Sequence, residues 1–307
     1  MNIIQKCLLF PVWALIAILF AACHSGPYIP QETPTSGTIH ISVDESFKPV
    51  IDSQIKVFES SFPNARIMVE YKSESACLRD LYEDSTRLII ITRGLNPKEE
   101  SWFEDSLKAR ANFGILAYDA VALIVNKKSK DTTMSVADVQ ALLEGNDKLK
   151  REVVMDGVTA TSTVRFAMDS ILKGKPLGKN VVAAHSSPQV ISYVSNHENA
   201  VGFIGVSWIG DEEDSTQLGF LKEVKVVAIQ CDRCLEKPYT WPNQYNIYYS
   251  RYPLVRGLYY ILKENFSGVG NNFVNFLEFE RGQLIFKRAY LVPAKMNFDI
   301  RNVQIQQ

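Results

Sequence analysis

Three short polar turns in this chain each follow an apolar run and open a stretch with helical spacing: Ser42-Val43-Asp44-Glu45-Ser46, Thr92-Arg93, and Thr161-Ser162-Thr163-Val164-Arg165. Hydroxyl and guanidinium groups at such turns suit the binding of an anion. A helix start carries free N–H donors and the positive end of its dipole, so strand, turn and helix together present an anion site at the carboxyl edge of a sheet. Ser42 and Ser46 supply hydroxyls in the first turn, and Ser46 is equally suited to capping the helix that follows. Asp44 and Glu45 fit either as acids complementing that helix dipole or as groups facing a ligand. Arg93 is the strongest single candidate: it follows Leu88-Ile89-Ile90-Ile91 with only Thr92 between, and an arginine fork binds an oxyanion through two parallel hydrogen bonds. In the third turn, Arg165 is either a ligand contact or a solvated helix residue.

Other chemistries find little support. The chain has four histidines, His24, His40, His185 and His197. No Ser-His-Asp order, metal-ligand cluster or phosphate-cradling glycine loop accompanies them, so a binding role is expected rather than catalysis, with no cofactor and no metal. Lys+Arg 33 against Asp+Glu 34 leaves a formal charge of -1, which argues against a nucleic-acid partner. Five cysteines are too few for a disulfide scaffold. The pair Cys231-Asp-Arg-Cys234 is open to several readings: a local disulfide, inert thiols, a redox site or half of a metal site. Nothing in the pattern demands a dimer, and a monomer is expected.

The elements that must position the turns read as an α/β protein. Residues 38–43 alternate as a strand, 47–60 carry helical spacing, and 65–71, 76–83 and 88–91 continue as strand, helix and strand. A further helix opens at Pro97. The run from Phe113 to Asn126 is too long for one ordinary strand and is expected to pass from one lobe into another. A second set follows, with helix 135–144, strand 153–155, helix 163–173, strand 181–184, helix 188–195 and strand 201–204. The apolar segment 221–229 is the return crossing. Helices are expected over 254–265 and 271–279, the latter continuing through Gly282-Gln283. Two lobes result, 38–117 plus 228–307 and 118–227, joined by two hinge crossings.

The first residues give the address. Lys6, an apolar run from Cys7 to Phe20, and Ala21-Ala22-Cys23 form a secretory leader over 1–22. Its end resembles that of bacterial lipoproteins, which implies that Cys23 is diacylated and holds the chain to a membrane of the cell envelope, on the periplasmic side. Residues 23–37, rich in Pro, Gly and Ser, read as a tether.

Several segments resemble the substrate-binding components of phosphate ABC importers. The strand and turn 38–49, the crossing Asp119-Ala120-Val121-Ala122-Leu123-Ile124-Val125-Asn126, the helix ending at Gly145, Ala200-Val201-Gly202-Phe203-Ile204-Gly205, Tyr252-Pro253-Leu254-Val255-Arg256, Gly282-Gln283 and Tyr290-Leu291-Val292-Pro293 follow that family's order. The resemblance implies the two-lobed periplasmic-binding-protein (type II) fold, each lobe a sheet flanked by helices. It also implies inorganic phosphate as ligand and an ABC permease as partner. The two turns that depart from the family are informative. Ser162 stands where its Ser-Gly-Thr motif has glycine, unless the register slips by one. Asp44 and Glu45 replace a Gly and Ser/Thr loop; there a carboxylate would repel a dianion unless it accepts the proton of a monohydrogen phosphate, which sulfate lacks at neutral pH. The alternatives are another oxyanion, such as sulfate or molybdate, and a degenerate, non-binding surface interaction protein.

Overall fold

A computed structural model describes residues 32–296, apart from 84, 109, 111, 158–160 and 212. The leader, Cys23 and all but the end of the tether lie outside the described residues. The first βα units run β1 (Ser36–Asp44), a 3-10 turn over Glu45–Phe47, α1 (Lys48–Ser61), β2 (Asn64–Lys72), α2 (Glu74–Asp80), β3 (Thr86–Ile91) and α3 (Pro97–Leu107). Then comes β4 (Asn112–Asn126), followed by β5 (Thr133–Met134), α4 (Val136–Leu143), β6 (Glu152–Met155) and α5 (Ser162–Phe166), which widens into a π turn over Ala167–Ile171. The second lobe is completed by β7 (Val181–Ala183), α6 (Ser187–Asn196), β8 (Ala200–Gly205), α7 (Ser215–Glu223) and β9 (Val224–Val226). The chain ends with β10 (Ala228–Gln230), β11 (Tyr239–Thr240), α8 (Gln244–Tyr248), β12 (Val255–Leu262), α9 (Val269–Glu278), α10 (Glu280–Arg288) and β13 (Val292–Pro293).

The protein is two-lobed, and one strand builds both halves. The order is β2-β1-β3-β12-β4-β8-β6-β7. From Asn112 to Ala120, β4 pairs antiparallel with β12; from Val121 to Val125 it pairs antiparallel with β8, and its end pairs with β9. Apolar residues at nearly every position of β3, β4 and β8 follow from this, because helices cover both faces of these strands. One apolar cluster runs along β4 from Ile39, Phe47 and Phe273 to Val153 and Phe203, so burial along this strand ties the two sheets together.

Three expectations are corrected. Residues 254–265 are not a helix: β12 lies antiparallel between β3 and β4, with Arg256, Leu258 and Tyr260 buried and Val255, Gly257 and Tyr259 half-buried, the period of two that a strand requires. The segment 221–229 is not extended throughout, since α7 continues to Glu223 before β9 begins. The last helical stretch breaks at Phe279 into α9 and α10. There the backbone packs so closely that a Cβ at Gly282 would stand 2.3 Å from the Phe276 carbonyl oxygen. Gln283, beside it, donates from Nε2 to the carbonyls of Leu116 at 3.1 Å and Leu277 at 2.7 Å, so the Gly-Gln pair fixes α10 onto β4.

Candidate functional site

The site forms where the carboxyl ends of β1 and β6 face each other across the lobes. Asp44 ends β1 and caps the 3-10 turn, its Oδ1 accepting the Ser46 N–H at 3.0 Å. Ser46 is therefore inside the turn rather than its cap, and its hydroxyl is fully buried. From the second lobe Thr161 caps α5, its Oγ1 accepting the Val164 N–H at 3.3 Å, which presents Ser162 and Thr163 as the first helical residues. Both are fully buried. Ser162 Oγ donates to Asp44 Oδ1 at 3.0 Å and lies 3.4 Å from Ser46 Oγ. Asp156, the first residue after β6, accepts from Ser46 Oγ and from Thr163 Oγ1, each at 3.4 Å.

Arg256 of β12 is the cation of this cluster. Its Nε donates to Asp119 Oδ2 of β4 at 2.8 Å, and its Nη1 donates to Ser162 Oγ at 3.0 Å and reaches Thr163 Oγ1 at 3.5 Å. Burial works against its charge, but Asp119, Asp44 and Asp156 around it more than offset that cost and hold it cationic. Arg256 Nη2 and Asp44 Oδ2 are both buried with no hydrogen-bond partner among the described residues. A guanidinium edge and a carboxylate oxygen left unsatisfied within one buried cluster are a costly arrangement for a site of purely structural purpose.

Beside this cluster lies a cavity of about 160 Å³, lined by Asp44, Glu45, Tyr71, Lys72, Ser73, Asp156, Thr161 and His185. Burial pushes the Asp44 carboxyl up to about 6 against the pull of Arg256, and Asp156 and Glu74 push the same way. Burial and then Asp156 push Glu45 up to about 7. Burial likewise raises Asp156. Near neutral pH the carboxyls of Asp44 and Glu45 exchange protons readily, so the cavity can both give and take hydrogen bonds. Glu45 itself spans the lobes, accepting from Ser187 Oγ at 3.0 Å and Ser187 N–H at 3.4 Å at the start of α6.

The remaining candidates lie elsewhere. Thr92 and Arg165 meet, but around Glu74 of α2. Thr92 N–H and Oγ1 both donate to Glu74 Oε2, at 3.0 and 2.5 Å, and Arg165 Nη2 donates to Thr92 Oγ1 at 2.7 Å, while Arg165 Nε donates to Glu74 Oε1. Arg93 turns away: Nη1 and Nη2 each donate to a Glu99 oxygen at 2.8 Å. Ser42 donates to Asp80 Oδ2 at 2.5 Å, on the side of β1 facing α2. The expectation that Arg93 and Ser42 face the same ligand as Ser46 and Ser162 does not fit these contacts, because the carboxylates of their own lobe hold both side chains.

Sequence reasoning missed Arg256, Asp156, Asp119, Glu74 and Ser187. Asp156 carries much the signal that singled out Arg93, a charged residue within two positions of the end of a short apolar strand. Arg256 was hidden inside a segment read as helical. Cys231 and Cys234 are joined in a disulfide, which settles among the readings of that pair. Among the described residues no group of three or more His, Cys, Asp or Glu side chains could hold a metal ion, and no helix is long and apolar enough to cross a membrane.

The profile of the PBP superfamily domain matches residues 29–278. No curated protein matches the sequence. Among solved structures, the chain is similar to a putative phosphate ABC transporter substrate-binding protein with bound phosphate from Clostridium perfringens, with a TM-score of 0.70 and 21% identity over 84% of this chain and 100% of that one. It is also similar to an ABC-type phosphate transport receptor from Vibrio cholerae, at TM-score 0.61 and 19% identity over 84% of this chain and 100% of that one. A possible phosphate binding protein from Planctomyces limnophilus gives TM-score 0.56 and 17% identity over 84% of this chain and 93% of that one. At these identities the likeness is one of fold.

Proposed function

This chain belongs to the PBP superfamily, and from that premise we propose that it is an extracytoplasmic solute-binding protein that captures phosphate between its lobes and delivers it to an ABC importer. On this reading it is a receptor, not an enzyme, held at the envelope by a lipid on Cys23. The observation that carries the proposal is the Arg256 cluster. The buried hydroxyls of Ser162 and Thr163 meet a guanidinium whose Nη2 has no partner among the described residues, and the Ser46 hydroxyl of the other lobe stands 3.4 Å from that of Ser162. That is a donor set for an oxyanion. The facing carboxyls of Asp44, Glu45 and Asp156 limit which oxyanion fits, since an ionised carboxylate repels a dianion unless a proton lies between them; hydrogen phosphate brings a proton of its own, whereas sulfate depends on one held by the carboxyl. The ligand set on this reading is Asp44, Glu45, Ser46, Asp156, Thr161, Ser162, Thr163 and Arg256.

The test is calorimetric titration of the domain from residue 33 onward, stripped of ligand by partial unfolding, with phosphate and then sulfate. One-to-one heat with phosphate and none with sulfate is expected; silence to phosphate sinks the reading. A second reading, a non-binding interaction protein, draws on the same acidic lining: Asp44, Glu45 and Asp156 line one small cavity with Lys72 and His185, and these acids outnumber the single arginine of the cluster beside it. That lining disfavours sulfate and molybdate more than it disfavours phosphate. The anchor is tested separately, since Cys23→Ser should move the protein from the membrane to the soluble fraction.

A further inference from the structure

Thr92 and Arg165 offer a backbone N–H, a hydroxyl and a guanidinium edge in one place, which is a complete oxyanion-binding set. In this chain the oxygens that fill it belong to Glu74. Its carboxylate takes the Thr92 N–H at 3.0 Å, the Thr92 hydroxyl at 2.5 Å, and both Nε and Nη2 of Arg165, the latter at 3.3 Å. Glu74 is 2% exposed. Burial would raise its pKa, yet Arg165 and Thr92 together bring it below the ordinary carboxylate value, so the group stays ionised. Glu74 and Thr92 belong to the lobe built on β1 and β3, whereas Arg165 sits on α5 of the other lobe. The bonds therefore cross the cleft.

The same polarity recurs at the two neighbouring crossings. Asp44 of the first lobe accepts from Ser162 of the second at 3.0 Å, and Glu45 accepts from Ser187 at 3.0 Å. In these three the first lobe supplies the carboxylate and the second the donor, while the longer Ser46 to Asp156 bond, at 3.4 Å, runs the other way. A solute closes a two-lobed receptor only by the difference in its affinity for the open and closed forms. Carboxylates reaching across from one lobe bias that same equilibrium without a solute.

We propose that Glu74 is a tethered ligand, its carboxylate occupying the Thr92 and Arg165 oxyanion set and strapping the two lobes shut. This rests on the receptor reading above and adds a regulatory element to it. The strap favours the closed form, so it slows entry of the solute and slows its escape more. A groove of about 420 Å³ lies alongside, lined in part by Glu74, Arg165 and Met168, and gives the strap room to part.

The test uses small-angle scattering on the purified protein with no solute added, comparing wild type with Glu74→Gln and with Arg165→Met. Gln keeps the volume and loses the charge, and Arg165 is one-third exposed, so its replacement leaves the core intact. The expected result is a larger radius of gyration in either variant, with no further increase in the double variant, because both remove the same bond. Stopped-flow mixing with inorganic phosphate is the second arm, in which Glu74→Gln should speed release by about tenfold or more and speed binding less. Variants as compact as wild type would overturn the strap, even if their denaturation midpoints fall, because lost stability without opening means packing alone. If wild type takes up no phosphate, the receptor reading fails while scattering still decides the strap.

Discussion

Two arginines bridge the lobes here, and they live in opposite circumstances. Arg165 meets Glu74 and Thr92, and among these three groups each carboxylate oxygen has a donor and the shared hydroxyl both gives and accepts. Arg256 meets Asp119, Ser162 and Thr163, yet its Nη2 and the Asp44 Oδ2 of the same cluster are buried without partners among the described residues. The residue types are nearly the same: one arginine, carboxylates and hydroxyls. What differs is completeness. A satisfied polar cluster holds structure in place, whereas an incomplete one retains a capacity for something outside the chain. That contrast is why the ligand is assigned to the Arg256 cluster and the strap to the Arg165 cluster.

The largest effect should come from removing the cation of the incomplete cluster. Arg256→Met leaves Asp119 buried opposite nothing and removes the charge that lowers Asp44. A loss of about 3–5 kcal/mol in unfolding free energy by urea titration is expected, the range for breaking a buried ion pair from one side. Phosphate binding should vanish with it. A variant of near-wild-type stability would mean that water reaches Asp119 and that the cluster is not the dry site described.

The two clusters should also respond to pH with opposite sign. Asp44 is raised from 3.8 to about 6, so the folded protein holds a proton that the unfolded chain has already released between those values. Stability from this group is greatest below about pH 4 and is lost as pH rises to 6, by about 2–3 kcal/mol at most. Glu45 adds a loss of the same sign that extends to about 7. Glu74 is lowered, so its contribution is present above the ordinary carboxylate range and is lost as acid protonates it. Urea midpoints measured across this range should show Asp44→Asn flattening the fall on the neutral side and Glu74→Gln flattening the fall on the acid side. If both variants change the same limb, the contrast between the clusters is wrong.

These residues also mark what could and could not be read from the chain alone. The long run at 113–126 led to the expectation of one strand serving two lobes, because a strand of ordinary length does not need so many residues in a mostly apolar run. The turns at 42–46 and 161–165 were legible because the strand and helix around each are encoded within the same few residues. Arg256 was not. Leu254, Leu258, Ile261 and Leu262 fit a helical stripe as well as Arg256, Leu258, Tyr260 and Leu262 fit a strand, and only the neighbours β3 and β4 decide between them. Local pattern fixes an element when its partners are close in sequence; β12 pairs with strands more than a hundred residues away.

A smaller effect is expected from one hydroxyl. Ser162→Ala removes a donor to Asp44 and an acceptor for Arg256 Nη1. Phosphate affinity measured by calorimetry should weaken by about 1.5–3 kcal/mol, the range for one hydrogen bond to a charged group. The equivalent change in the satisfied cluster, Thr92→Val, should alter scattering dimensions instead and leave the bound-state heat close to wild type.

The smallest effect should be at the residue that local pattern favours most. Arg93 follows an apolar strand, but Glu99 is already part of the cap of α3, accepting the Asn96 N–H at 2.8 Å, and so stands fixed within reach of the guanidinium. A bidentate pair with a preplaced carboxylate of the same lobe outcompetes a ligand that must first be desolvated. Arg93→Ala should therefore cost under about 1 kcal/mol of stability, as partly exposed ion pairs do, and leave phosphate affinity unchanged. A tenfold loss of affinity would move the ligand to the groove that Arg93 shares with Glu74 and Arg165. The satisfied cluster would then be the binding site with Glu74 as the solute's competitor, and the unpartnered atoms around Arg256 would need another explanation.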